Sequence, residues 1–418
     1  MRRFFALLLA VCLGLALPGC LGDAPLPSPS DTPDPTPTAT TAPAAARFSL
    51  GYDPSATLHP IAGNSQVNRE LAGLVYQGLY ELDNTFTPRP VLAQSASPGE
   101  DGLVWTFTLR GDALFSDGTP VTAHHAASSL NAARMGGPYA PRLAGVTGVA
   151  AADDATLAVY LSAPNGNLPA LLDVPIVLER EGAPAPLGTG YYQYEAAGDR
   201  LYLQTNPYHA GAAALPYSTI PLTAVSGADE RIAAFDSGEV TAVATEFSDP
   251  YALGYSGSYE TCDYPTTAML FVGFQALSGP CQSGLVRQAF SRAIDREGMA
   301  QTLLSGHADP ACLPVSPLCG DYDGQAAALL GYDGQAAAEL LAQAGYERNE
   351  EDGLLYRRRA PLTVTLLVNS DNESRRAVAD AVAAALAEPK VQKFSAGMSL
   401  VKTILVKGKL VNLIFKAQ

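Results

Sequence analysis

Residues 24–46 consist almost entirely of Pro, Ala, Thr, Ser and Asp, and Leu26 is the single large apolar residue among them. Prolines fix φ and remove backbone donors, and a segment this poor in apolar side chains cannot bury a core. The composition is typical of an extended, semi-rigid tether, which we assign to residues 21–46. We therefore expect folded structure only beyond residue 46, where about 370 residues remain, enough for two lobes that each have a core.

The segment before the tether has the features of an export signal. Arg2 and Arg3 precede an uncharged apolar run over residues 4–17, which is shorter than the roughly 20 residues that span a bilayer. The run ends at Leu17-Pro18-Gly19-Cys20, which resembles a bacterial lipoprotein box. Residues 1–20 are therefore predicted to be a lipoprotein signal peptide, with Cys20 as the lipidated residue of a protein anchored on the extracytoplasmic face of the membrane. The alternative is a plain secretory signal with an incidental Cys20.

Charge is distributed unevenly along the chain. The chain has 41 acidic and 26 basic residues and a formal net charge of −15. The basic residues include Arg2 and Arg3 at the amino-terminal end. They also include six lysines, and all six lie at or after Lys390. Phosphate backbones are bound by clustered cations, and the domain between these ends has no such cluster. Nucleic acid is therefore excluded as a partner.

Four of the six cysteines fall in the expected folded region: Cys262, Cys281, Cys312 and Cys319. An exported protein folds in an oxidising compartment, so two disulfides are predicted. Four cysteines allow three connectivities, and we favour the two local pairs, Cys262 with Cys281 and Cys312 with Cys319. A zinc site is disfavoured because the CxxC spacing and neighbouring histidine pairs are lacking.

Hydrophobic periodicity predicts alternating strands and helices. Strands are predicted at residues 104–109, 154–161, 201–205 and 362–368, where apolar and polar residues alternate. One helix is predicted from Leu285 to Leu304, ending before Gly306. A second is predicted at residues 336–344 between Asp333 and Gly345, and a third at 371–388. The order of elements predicts an α/β fold with mixed sheets.

The composition changes abruptly after residue 389. The last 29 residues carry all six lysines and contain neither arginine nor acidic residues. A change of this kind normally marks a boundary between sequences of different origin, so residues 390–418 are treated as a separate lysine-rich tail. In the alternative, residues 401–406 form a basic edge strand that belongs to the fold.

Motifs for catalysis are lacking in the sequence. Residues 254–258 fail the last position of GxSxG, and neither HExxH nor a P-loop occurs. His124 and His125 are adjacent at a predicted helix start, so their side chains diverge by about 100° and cannot chelate together. Asp295-Arg296 is interpreted as a cap or structural ion pair. We predict that the protein is not an enzyme and has no catalytic residue, cofactor or metal site.

A set of ordered segments resembles the family 5 extracellular solute-binding proteins, which serve peptide and nickel ABC importers. The signature-like part is Trp105 to Arg110 followed by Phe115 to Ala123. The other segments that carry the resemblance are residues 58–60, 75–80, 92–95, 188–191, 286–296, 332–333, 340–341 and 344–346. The resemblance runs from about Phe48 to Glu388.

The resemblance implies a two-lobed periplasmic-binding-protein fold of type II, with an extra subdomain on lobe one. Lobe one would span residues 47–265 and part of lobe two would span 266–389. Such a protein captures peptides, delivers them to a membrane permease and acts as a monomer. The match places the main chain of Asn64, Ser65 and Gln66, and also Tyr139, against the ligand, although Tyr139 could instead be packed in a loop.

Two departures from the family pattern bear on the ligand. Ala268 and Gly273 stand where many peptide binders have acidic or cysteine residues. The family places the acidic residue that holds the peptide ammonium well downstream of Glu388, so we expect an incomplete lobe two and a protein truncated at its carboxyl end. The alternatives to a peptide binder are a binder of another solute, such as a nickel chelate, and a truncated lipoprotein without function.

Overall fold

The computed structural model describes residues 48–245, 255–256, 258–369, 372–387, 398–406 and 410–417. The predicted signal peptide, Cys20 and the tether lie outside these residues. The described chain divides into two compact units. The first contains the described residues of 48–244 and 255–264, and the second contains Thr245 and the described residues from Pro265 onward. Within the described ranges, none of the helices has the length and apolarity needed to span a bilayer.

The first unit is built on two four-stranded sheets. Its strands are β1 (Leu50–Tyr52), β2 (Tyr80–Leu82), β3 (Pro88–Pro90), β4 (Ala93–Pro98), β5 (Val104–Leu109), β6 (Val146–Ala151), β7 (Thr156–Leu161), β8 (Tyr192–Ala197), β9 (Arg200–Thr205) and β10 (Thr219–Ala224). Its helices are α1 (Gln66–Val75), α2 (Ala123–Met135) and α3 (Ala228–Asp236). One sheet has the mixed order β1-β10-β9-β8 with β1 parallel to β10, and the other has the antiparallel order β4-β5-β7-β6.

Alternating side chains build the core of the antiparallel sheet. Phe107 on β5 pairs with Leu157 on β7, and both are fully buried. Thr106 and Tyr160 face outward on the same strands, as the period of two requires. Helix α2 packs on β6 and β7 and buries Leu130 between them. The strands predicted near 104–109, 154–161 and 201–205 are confirmed.

Helix α2 begins at a capping box that the sequence did not reveal. The Thr122 backbone N–H donates to Nδ1 of His125 at 3.1 Å. In return, the Thr122 side chain, at the N-cap, accepts from the backbone N–H of His125, the third residue of the helix. The pKa of His125 is lowered, mainly by burial and also by the neighbouring His124. His125 is therefore part of the helix start, while His124 faces solvent.

Short helices and a hairpin make up the second unit. The helices are α4 (Gly284–Ala293), α5 (Arg296–Leu303), α6 (Gly324–Ala328), α7 (Gly334–Gln343) and α8 (Glu373–Ala387). The strands are β11 (Glu347–Arg348), β12 (Leu355–Arg357) and β13 (Ala360–Pro361), joined in one antiparallel sheet, and β14 (Met398–Val406) paired with β15 (Leu410–Ala417). Val286, Phe290 and Ala293 on α4 pack against Ala337 and Leu341 on α7 to form the core.

The prediction of one continuous helix from Leu285 to Leu304 was wrong. Helix α4 ends at Ala293, because Ile294 is extended and Asp295 starts α5 by accepting a hydrogen bond from the Gly298 backbone at 2.9 Å. An aspartate side chain that caps a new helix competes with continuation of the old one. Of the two interpretations of Asp295-Arg296, a cap or a structural ion pair, the structure shows Asp295 as a cap.

The helix predicted at 336–344 is confirmed together with both of its ends. Asp333 accepts from the Ala336 backbone at 2.9 Å, and Gly345 ends the helix with a φ of 84°. The strand predicted at residues 362–368 is not formed. A strand needs a neighbour for its backbone groups, and no described strand pairs with this segment.

Candidate ligand-binding site

Asn68 fixes the chain that leads to the predicted ligand-lining residues. Its side chain accepts from the Asp53 backbone N–H at 2.8 Å and donates to the carbonyls of Asp53, Ala56 and Thr57 at 2.9, 3.2 and 3.3 Å. Only 3 % of Asn68 is exposed, so these bonds are made in a desolvated environment. The loop at 53–57 is thereby tied to the first turn of α1.

His59 holds the turn that follows this loop. Its Nδ1 accepts from the backbone N–H groups of Ile61 at 3.1 Å and Ala62 at 3.3 Å. Its Nε2 lies 2.9 Å from Oε1 of Glu179. Because Nδ1 accepts twice, the network assigns the ring proton to Nε2, which donates to the carboxylate. The turn at 59–63 is thus joined to residue 179 of the same unit.

The predicted residues Asn64, Ser65 and Gln66 lie at the start of α1. Asn64 is exposed, and Ser65 occupies the N-cap position without a side-chain cap bond. The side-chain amide nitrogen of Gln66 is buried and has no hydrogen-bond partner among the described residues. A buried donor of this kind is stabilised when an acceptor reaches it.

Tyr139 lies in a loop that packs directly on the His59 turn. A Cβ placed on Gly137 would lie 2.4 Å from the carbonyl oxygen of Ile61, and Gly137 has a φ of 73°. Only glycine permits this approach.

Tyr139 packs against the core of the first unit. The Arg142 guanidinium lies 5.0 Å from the centre of the Tyr139 ring, and Arg142 also pairs with Asp173. The structure therefore brings the Tyr139 loop and the turn before Asn64 into contact at Ile61 and Gly137.

The signature-like segment contacts a second family-like segment inside the first unit. Phe115 is fully buried. Its backbone N–H donates to the Thr119 carbonyl at 2.8 Å across the turn at Asp117 and Gly118. The Ser116 backbone N–H donates to the Gly188 carbonyl at 3.0 Å. Two segments that are far apart in sequence, near 115–121 and 188–191, thus meet inside the first unit.

The four cysteines carry free thiols in this structure. Cys262 is exposed, and Cys281, Cys312 and Cys319 are partly buried. Burial raises the pKa of the Cys281 thiol, against an opposing effect of Arg287. Cys262 belongs to the first unit and Cys281 to the second. None of the predicted disulfides is formed, and the pairing stays a prediction.

The roles of Asn68 and of the His59–Glu179 contact are not apparent from the sequence. His59 lies within a segment that was singled out, but its partners are backbone groups and a carboxylate 120 residues away. The partners of Asn68 are also backbone atoms, which leave no residue signature. In the part of the chain that the structure describes, no group of three or more His, Cys, Asp or Glu side chains is arranged to hold a metal ion.

Curated relatives are similar to this chain over most of its length. The glutathione-binding protein GsiB of Salmonella choleraesuis is 27% identical over an alignment of 307 residues, which covers 69% of this chain and 59% of that protein. The chain therefore spans less than two thirds of the length of this relative.

Solved structures share the fold. A nickel ABC transporter protein from Bacillus halodurans superposes with a TM-score of 0.57 at 20% identity, covering 81% of this chain and 71% of that one. The periplasmic murein tripeptide binding protein MppA, in its unliganded open form, superposes with a TM-score of 0.56 at 21% identity, covering 84% and 73%. These likenesses confirm the predicted α/β fold of the two-lobed binding-protein type.

A family model matches a long continuous stretch. The model of the bacterial extracellular solute-binding proteins, family 5, matches residues 87–392, which is more than half of the chain. That stretch contains elements of both units, from β3 to α8. The chain therefore belongs to the family 5 bacterial extracellular solute-binding proteins.

Proposed function

We propose that this chain is the extracytoplasmic solute-binding component of an ABC importer, which captures di- or oligopeptides and delivers them to a membrane permease. The family match over residues 87–392 carries the proposal. The peptide class is supported by the similarity to a glutathione-binding protein, because glutathione is itself a short peptide.

The ligand would be held by the amino-terminal end of α1 and the Tyr139 loop. Asn64, Ser65 and Gln66 would line it mainly with backbone groups, since backbone contacts suit peptides of differing sequence. The buried, unpaired amide nitrogen of Gln66 supports this placement because a peptide carbonyl could accept from it. Tyr139 would add an aromatic face.

Titration of the purified protein with peptides tests this proposal. Glutathione and di- to hexapeptides should raise the melting temperature and release heat in calorimetry, because a ligand that binds only the folded state stabilises it. Gln66→Ala should weaken peptide binding by about tenfold. Gln94→Ala, which alters an exposed glutamine on β4, is the matched control and should bind normally.

The same titration distinguishes the ligand classes. If no peptide produces a shift or heat, the peptide proposal fails. A shift with a nickel–histidine complex alone would assign the protein to chelate binding instead.

Export and anchoring complete the proposed role. The signal peptide at 1–20 would direct export. The lipid on Cys20 and the tether at 21–46 would then hold lobe one (47–265) and the part of lobe two (266–389) at the extracytoplasmic face of the membrane as a monomer. Mass analysis of the mature amino terminus should find a diacylglyceryl cysteine at residue 20, and Cys20→Ser should release the protein from membranes. An unmodified Cys20 in the mature protein would contradict the anchor. Light scattering that finds a dimer would contradict the monomer.

A further inference from the structure

The segment at 362–368 covers part of the core of the second unit with one of its two faces. Every second residue of the segment is half-buried: Leu362, Val364, Leu366 and Val368. The residues between them are exposed: Thr363, Thr365 and Leu367. Leu362 and Val364 pack against the core cluster that α4 and α7 form. This is the alternating burial of a strand that lies on a core.

The backbone of this segment has few hydrogen-bond partners. The Leu362 N–H donates to the Leu355 carbonyl at 2.7 Å, but the backbone of residues 363–368 makes no hydrogen bond to another described residue. A row of unpaired donors and acceptors along an extended chain is a template for a further strand. We call residues 362–368 the open edge of the second unit.

The chain that follows the open edge has the order of a βαβ unit. Helix α8 comes next, and Leu386 near its end packs against the same core cluster. Residues 388–397 join α8 to β14 and can span about 33 Å when extended, whereas α8 is about 22 Å long. The chain can therefore return along the helix to the open edge. A strand that follows such a crossover pairs parallel to the first strand.

Strand β14 has one edge that pairs with no described strand. Its other edge pairs with β15, and these two strands form a sheet by themselves. A hairpin of two strands is marginally stable in water unless a third strand or a helix packs with it. The sequence of β14 suits a sheet, because it is rich in apolar and β-branched residues such as Val401, Ile404 and Val406.

Charge and chain connection both favour a contact of this hairpin with its own chain. All 41 acidic residues precede Lys390, whereas the hairpin at 398–417 carries four lysines and no acidic residue. The short link at 388–397 holds the hairpin at a high effective concentration beside its own open edge. Pairing within one molecule is therefore favoured over pairing between two molecules.

We propose that the carboxyl-terminal hairpin (398–417) docks on the second unit, with β14 paired in parallel to the open edge at 362–368. The resulting sheet has the order 362–368, β14, β15, and α8 is the crossover helix on one face of it. Docking supplies partners to the backbone of the open edge and covers more of the core. Strand β15 becomes the outer strand, where Lys416 disfavours the addition of another chain.

The distribution of lysine in the chain permits a direct test by photo-crosslinking. An amine-reactive diazirine couples to the amino terminus and to the six lysines, all of which lie within 390–418. On illumination of the full-length protein, the reagent on Lys402 should insert into residues 362–368, and mass spectrometry maps the product. Lys402→Arg keeps the charge but removes the reactive amine, so it should abolish this product. A lack of insertion into 362–368 would overturn the proposal.

Isotope mixing shows whether the two ends of a crosslink belong to one molecule. In an equal mixture of ¹⁵N-labelled and unlabelled protein, the crosslinked peptides should carry the same isotope. Products that join the two isotopes in statistical proportion would assign the open edge to a second copy of the chain. That result would also overturn the proposal.

Hydrogen exchange tests the strand pairing itself. Alternate backbone amides within 363–368 should exchange at least about tenfold more slowly in the parent than in Ile404→Pro, because proline removes a donor and interrupts β14. Ile404→Val keeps the donor and a β-branched side chain, so it should protect these amides as the parent does. Equal exchange in the parent and in Ile404→Pro would contradict the docking. Neither measurement involves a ligand, so failure of the proposed peptide binding and failure of the docking are separate outcomes.

Discussion

His59 Nε2 lies 2.9 Å from Glu179 Oε1, and the opposite nitrogen of the same ring accepts two backbone hydrogen bonds from Ile61 and Ala62. The imidazole thus joins two separate parts of the first unit. The side chain of His59 is 24 % exposed, whereas that of Glu179 is 73 % exposed. The bond from Ile61 is part-buried, whereas the bond from Ala62 and the contact with the carboxylate are exposed.

This asymmetry predicts unequal effects of substitution. His59→Ala should lower the free energy of unfolding by about 1–2 kcal/mol, because two backbone donors lose their acceptor. Glu179→Gln should lower it by about 0.5 kcal/mol or less, because the contact is exposed and an amide oxygen can still accept from Nε2. Urea denaturation measures both values. Equal losses would show that the carboxylate, and not Nδ1, holds the turn.

Asn68 should be among the most sensitive polar positions in the first unit. Asn68→Ala removes four hydrogen bonds at a residue that is 3 % exposed and should cost about 3 kcal/mol. The exposed Asn84 is the matched control, and Asn84→Ala should change stability by less than about 0.5 kcal/mol. Chemical denaturation gives the difference. Similar stabilities of the two variants would contradict the role of Asn68 in fixing residues 53–57.

Gly188 should tolerate no side chain. A Cβ at this position would lie 2.2 Å from the Val75 carbonyl oxygen, which is backbone and cannot rotate away. Gly188→Ala should therefore cost about 2 kcal/mol or more. Gly111→Ala is the control, because no heavy atom lies within 4 Å of its Cβ position. Thermal melting of the two variants should differ clearly, and a normal melting temperature for Gly188→Ala would contradict the packing at Val75.

Local pattern predicted the elements whose two faces differ most. The sequence predicts strand β5 because apolar Trp105, Phe107 and Leu109 alternate with polar threonines, and all three apolar side chains are buried in the structure. Helix α7 was predicted because Asp333 and Gly345 mark its ends. In both cases the information lies within a dozen residues of the element itself.

Features that depend on distant partners could not be predicted in this way. Residues 362–368 alternate as a strand should, but alternation does not state which strand lies alongside. The break at Ile294 was missed because the apolar spacing of α4 continues into α5, and only the side-chain bond of Asp295 reveals the new start. Ser116 and Tyr194 line one cavity in the first unit although they lie 78 positions apart, and no local pattern indicates that they meet.

His125 predicts a pH dependence of stability with a defined sign. Its folded-state pKa is below the ordinary histidine value of 6.5, mainly through burial. The unfolded protein therefore binds a proton more readily than the folded protein does. The contribution of His125 to stability is complete above pH 6.5, and it is lost as the pH falls from there through the lower, folded-state pKa.

His125→Gln should remove this part of the pH dependence. Glutamine does not titrate, so the decline in melting temperature between about pH 7 and pH 5 should be smaller in the variant than in the parent. Melting curves followed by circular dichroism across this range provide the comparison. An unchanged slope would assign the acid sensitivity to other groups.

The division between α4 and α5 predicts a further substitution effect in the second unit. Asp295 accepts from the Gly298 backbone. A Cβ at Gly298 would lie 2.5 Å from the Asp295 carboxylate, so a glycine at this position leaves room for the cap. Asp295→Ala should cost about 1 kcal/mol, the usual effect of losing an N-cap, whereas Asp295→Asn should cost only a few tenths because an amide oxygen also caps. Denaturation of the two variants measures the difference. Equal destabilisation by both would show that the charge of Asp295, acting on the helix dipole, stabilises the start of α5 rather than its hydrogen bond.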